Sequence, residues 1–121
     1  MADIRTREQE RVAAALRHIA TIADGDVESY HRVAANFGPL VVNNGLAGAL
    51  AFVVATKKSN FVDHLQEWVG SRPEFKKLLG TTLLEKMSKA ECGAADYRLM
   101  TQEALLYANW LKRLAGAKKN K

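Results

Sequence analysis

The strongest constraint on the fold lies near the end of the chain, where Tyr97, Met100, Ala104, Tyr107, Leu111 and Leu114 step by three, four, three, four and three. Steps of three and four keep one stripe on one side of an α-helix, so Asp96 to Ala115 is expected to be a continuous helix with a sustained packing seam. About 20 residues at ~1.5 Å rise make a rod of roughly 30 Å, long enough to span a small domain. A seam of that length needs other helices to cover it. Gly116 is the expected stop, and 117–121 a basic tail expected to be disordered.

Partners for the seam can be read upstream. Val12, Leu16, Ile19 and Ala23 make a helical stripe, with Arg5, Arg7, Arg11 and Arg17 largely off it. After Asp24-Gly25-Asp26, the period resumes with Val27, Tyr30, Ala34 and Phe37, and Gly38-Pro39 is expected to end or kink that helix. Leu46 to Ala55 is apolar on every side and rich in small residues, which predicts the most buried helix. Phe61, Leu65, Trp68 and Val69 return at i, i+4, i+7, i+8, and Gly70 reads as a stop. Ser71-x-x-Glu74, Thr82-x-x-Glu85 and Ser88-x-x-Glu91 are candidate capping boxes that predict short helices. The reading is all-α: a single compact bundle of about five to seven helices over 1–116, with a long C-terminal helix. Its expected core includes Leu46, Leu50, Phe52, Trp68, Tyr107, Trp110 and Leu111.

With 121 residues, of which 48% are apolar, the chain can bury a core without metals or disulfides, and Cys92 is its one cysteine. The opening residues lack the basic-then-apolar order of a secretory signal, and Leu40 to Ala55 reads as core, too short and too interrupted by Asn43-Asn44-Gly45 to cross a bilayer. A cytoplasmic protein without a membrane partner is the expectation.

Reactive constellations are hard to find. His18, His31 and His64 lie far apart, and none sits i, i+4 from another histidine or cysteine as helical metal sites commonly require. Asp96 and Glu103 share a face but stand ~10 Å apart along it, which suits salt-bridge or capping roles better than a paired-carboxylate site. There is no G-x-S-x-G elbow, no P-loop and no G-x-G-x-x-G, so no enzyme, metal, cofactor or small-molecule substrate is expected.

Charge is more informative. The net formal charge is +5, and the eighteen residues after Glu103 carry Lys112, Arg113, Lys118, Lys119 and Lys121 with no acid. Lys57-Lys58 and Arg72 with Lys76-Lys77 form two more basic knots at or beside loops, where cations reach a phosphate track or simply stay solvated. The aromatics mostly fall in apolar runs, so base-stacking platforms and sequence-specific readout are not indicated.

Two segments carry a resemblance: Asn44-Gly45-Leu46-Ala47-Gly48-Ala49-Leu50-Ala51-Phe52, and Tyr97-Arg98-x-x-Thr101-Gln102-Glu103-Ala104-Leu105-x-Tyr107-x-Asn109-Trp110-Leu111-Lys112-Arg113. Together, over Tyr30 to Ala115, they resemble the small subunit of the type III-B CRISPR (Cmr) effector complex. Ala108 and Leu114 are smaller than that family's usual bulky residues, and Gly38 precedes Pro39 where a larger apolar residue is common. The resemblance implies a helical protein stacked in a few copies along the complex's inner face, touching neighbouring subunits, guide RNA and target RNA while other subunits cleave. Lys57, Lys58, Arg72, Lys76, Lys77, Arg98, Lys112, Arg113, Lys118 and Lys119 are the candidate backbone contacts. A helical DNA-binding regulator and a protein-only adaptor remain the alternatives.

Overall fold

Residues 5–56 and 60–120 are described by a computed structural model of the chain. Among them the fold is all-α: α1 (Arg7–Ala20), α2 (Val27–Thr56), α3 (Phe61–Gly70), α4 (Leu83–Met87) and α5 (Ala94–Lys119), with 3-10 turns at Asp24–Asp26 and Pro73–Phe75. The organising pair is α2 against α5, with α1 and α3 packed on α5 beside it. Met100, Ala104, Tyr107 and Leu111 of the predicted seam are fully buried against Tyr30, Phe37, Leu46 and Leu50, while Tyr97 and Leu114 pack at its edge.

α5 does not stop at Gly116. It runs on to Lys119 because Lys118 has a use for the extra turn: its ammonium donates to the carbonyls of Ile19 at 3.1 Å and Ile22 at 2.6 Å. Those carbonyls lie at and just past the C-terminal end of α1, where the helix dipole favours a cation. Lys121 lies outside the described residues.

α2 breaks at Gly45 and not at Gly38-Pro39. Pro39 sits inside a helix that continues past it, at the cost of one amide donor to the preceding turn. Gly45 has φ 75 and ψ 167, a left-handed conformation that glycine adopts freely, and Asn44 closes the preceding turn by donating its side-chain amide to Leu40 O at 3.2 Å. A new helical start follows, and Tyr97 OH accepts from the Ala47 N–H at 3.1 Å, satisfying one orphan amide from across the bundle. By length and composition α2 is long and apolar enough to cross a membrane, contrary to the shorter stretch read from sequence. Its Tyr30, Phe37, Leu46 and Leu50 line the protein's own core.

Three packing expectations change. Phe52 is 59% exposed, because Leu46, Ala49, Leu50 and Val53 take the inward face and Phe52 points about 100° away from it. Trp110 packs on the edge of the core and is only partly buried. On α1 the inward face is Ala14, Ala15, His18 and Ile19, roughly a quarter turn from the predicted stripe, and Leu16 is exposed. Small alanines let α1 approach closely, and its inward polar residues have partners waiting.

Of the three capping boxes, Thr82-x-x-Glu85 forms, with Glu85 N donating to Thr82 Oγ1 and Thr82 N to Glu85 Oε1. Arg72-Pro73 starts a 3-10 turn where Ser71 was expected to cap, and Ser88 closes α4 instead of opening a helix. A box absent from the sequence reading, Thr6-x-x-Gln9, opens α1.

Candidate nucleic-acid interface

The long α5 places four of the expected contact residues on its solvent side. At about 100° per residue, Arg98, Lys112 and Lys119 fall within about 60° of one another, and Arg113 lies beside them on the outermost ridge. Arg98, Arg113 and Lys119 are exposed, while Lys112 rims a cleft of about 280 Å³ between α2 and α5, floored by Gly38, Pro39 and Ala108. The Arg113 guanidinium sits 5.8 Å from the centre of the Trp110 ring, so its position along the ridge is partly fixed. Among the described residues, these four cations make no ion pair. From Arg98 to Lys119 the helix rises by roughly 30 Å, so the flank presents spaced, not clustered, charge.

The other expected contacts are used differently. Arg72 lies flat on Trp68, with its carbon 3.4 Å from the ring centre, and Nε donates to Trp68 O at 3.0 Å. Its side chain is 13% exposed, leaving little of the guanidinium for a ligand. Lys77 pairs with Asp96 at 2.9 Å, and Lys118 caps α1. Lys76 is exposed at the end of the 3-10 turn, one residue past buried Phe75. Lys57 and Lys58 lie outside the described residues.

Charge inside the bundle went unseen in the sequence. Glu103, expected at the surface, is 5% exposed: Arg11 donates from Nε at 2.6 Å and from its terminal nitrogen at 2.9 Å, and Trp68 Nε1 donates at 2.8 Å. Arg7 adds a cation at 3.5 Å while also pairing with Glu74. Burial pushes the Glu103 carboxyl up, but the hydrogen bonds from Arg11 and Trp68, with the nearby charges of Arg11 and Arg7, outweigh it and hold the group below its ordinary value. The network joins α1, α3 and α5 around one carboxylate. A partnered carboxylate sits readily in a seam, and only the spacing of Glu103, three residues after Met100 and four before Tyr107, hinted at it.

The two motif segments also meet. Gly45 and Ala47 from the first touch Tyr97 from the second, and Glu103, Tyr107 and Leu111 of the second form the polar and apolar core under α1 and α3. Much of their specificity is therefore architectural. Among the described residues, no three His, Cys, Asp or Glu side chains are grouped to hold a metal ion. The Cys92 thiol is pushed up by burial and by Asp96, which favours its neutral form.

No curated protein and no solved structure matches the chain. The family model for CRISPR-associated protein (Cas_Cmr5) matches residues 7–118, the span from the first turn of α1 to the lysine that ties α5 back onto it. A helical bundle built on the two motif segments, matched by that model nearly end to end, identifies the chain as a member of the Cas_Cmr5 family, the small subunit of the type III-B (Cmr) CRISPR complex.

Proposed function

We propose that this subunit is a non-catalytic scaffold, stacked in several copies along the inner face of the complex, that holds guide and target RNA by sequence-independent contacts to the backbone. The observation that carries the reading is the flank of α5, where Arg98, Lys112, Arg113 and Lys119 stand at the surface without acidic partners among the described residues. Cations spread along a rigid helix neutralise phosphates without reading bases, leaving sequence to guide pairing. Exposed apolar side chains, including Val42 at 80% and Leu79 at 74%, supply surface that neighbouring subunits or further copies would cover. The same cations admit a second reading, a protein-only adaptor whose basic surface meets acidic protein partners and leaves RNA to others.

Fluorescence anisotropy of a labelled single-stranded RNA separates the two. Four phosphate contacts predict a slope of log K against log salt of about −2 to −3, weak binding by the isolated subunit, and tighter retention where stacking supplies avidity. Lys112→Glu with Arg113→Glu should weaken retention in the assembled complex at least ten-fold and leave the melting temperature within ~2 °C. Unchanged retention would make these residues solvated surface and favour the adaptor. Strong preference for one DNA sequence would defeat both.

A further inference from the structure

Four rings from four helices meet under α1, and neither RNA contact nor subunit packing uses them. His18 of α1 and His64 of α3 stack with ring centres 4.3 Å apart and planes 13° apart. Each imidazole engages a tyrosine through Nδ1: His64 with Tyr30 OH of α2 at 2.8 Å, His18 with Tyr107 OH of α5. His18 Nε2 lies 3.3 Å from a Glu67 carboxylate oxygen. A carboxylate only accepts, so a neutral His18 carries its proton on Nε2 and accepts a hydrogen bond from the Tyr107 hydroxyl at Nδ1. Both rings are nearly closed to solvent, at 7% and 8% exposure.

We propose that the stacked His18–His64 pair is a proton-sensitive latch, which holds α1 on the bundle while both imidazoles are neutral and releases it in mildly acidic solution. Two imidazolium rings face to face would place like charges 4.3 Å apart in a closed site, so the stacked geometry admits at most one proton readily. The surroundings agree. From α1, Arg17 opposes a proton on His18; from α3, Glu67 favours one on either ring and Asp63 favours one on His64. From α2 and α5 the facing titratable groups are Tyr30 and Tyr107, both pushed up chiefly by burial and so neutral throughout. Glu103 is committed to Arg11, Arg7 and Trp68, and Arg72 to the Trp68 face, so neither offers the pair a counter-charge. Burial pushes both histidines down, His64 to about 4 with the help of His18.

Release is confined to α1 because the α2–α5 contact is made by Phe37, Leu46, Leu50, Met100 and Leu111, none of which titrates. Opening would also free Lys118 from the α1 carbonyls and add a cation to the α5 flank.

The test is imidazole Cε1–H nuclear magnetic resonance together with amide hydrogen exchange on the full chain between pH 7.5 and 4.5. His64 should remain neutral at pH 6 and His18 should titrate below a free imidazole, and as pH falls α1 amides should lose protection at least ten-fold, corrected for intrinsic rates, while α5 amides around Leu111 stay protected. Glu67→Gln, at a side chain 71% exposed, removes the carboxylate that favours protonation in the closed state, so the closed bundle binds protons still less readily than the open one and α1 release should move to higher pH. His64→Gln should flatten the pH dependence; if it fails to fold, the native titration and Glu67→Gln still decide. Titration of both rings at ordinary histidine values, loss of α1 and α5 protection in one step, or a Glu67→Gln midpoint equal to or below the native one would each overturn the latch.

Discussion

Replacing Glu103 with glutamine keeps the shape of the side chain and removes the single charge on which three helices converge. Arg11 would then face an amide that accepts through one oxygen and presents its own N–H groups toward a guanidinium whose side chain is 13% exposed. Removing one partner of a buried pair costs about 3 to 5 kcal/mol, because the survivor stays desolvated. Arg7, with a side chain 37% exposed and Glu74 as second partner, can relax toward solvent, and the amide oxygen still accepts from Trp68 Nε1, so the lower end is expected, ~3 kcal/mol. In a domain of this size that is a fall in Tm of about 10 to 15 °C. Urea and thermal unfolding at pH 7 measure it, beside the double variant Arg11→Met with Glu103→Leu, which leaves no buried charge unpaired and should recover more than half the loss. A Glu103→Gln protein within 1 kcal/mol of the parent would show that the carboxylate is not the organising charge of the α1–α3–α5 junction.

Further outcomes follow from the same contacts. Acid should weaken the fold in two stages: His64 has a folded pKa of about 4 against an ordinary 6.5, so the unfolded chain binds more protons between those values and stability falls as pH drops through them, by roughly 2 to 3 kcal/mol. Glu103, held below its ordinary value, adds a loss only as pH falls under about 4.5. Urea midpoints unchanged from pH 7 to 4.5 would contradict the His64 assignment, and no further fall below pH 4.5 would contradict that of Glu103. Phe52→Ser should change stability by less than ~0.5 kcal/mol despite its place in an apolar run, whereas Trp68→Ala should cost about 3 to 5 kcal/mol in the same unfolding assay. Gly45→Ala should cost about 1 to 2 kcal/mol, since a Cβ there combines a positive φ with an approach of 3.3 Å to Tyr97 OH; a neutral result would mean the α2 break can relax.

Periodicity made much of this bundle legible. The three-four stepping of Met100, Ala104, Tyr107 and Leu111 depends only on 3.6 residues per turn, so α5 and its buried face could be read without knowing a partner. The family could be read too, from the resemblance of two motif segments, whose Gly45, Ala47 and Tyr97 come together in the fold. What could not be read was which polar groups would be paired. Glu103, Arg11, His18 and His64 look like surface residues in a linear pattern, and they turn inward because partners 34 to 92 positions away meet them. Arg72 and Lys118 look like free cations for the same reason, until Trp68 and the carbonyls of α1 claim them. The sequence by itself determined where helices run and which stripe of α5 is apolar, since those follow from backbone repeat and side-chain solubility. Only the tertiary structure decided which charges face inward and which remain at the surface, because the cost of burying a charge depends on what stands opposite it.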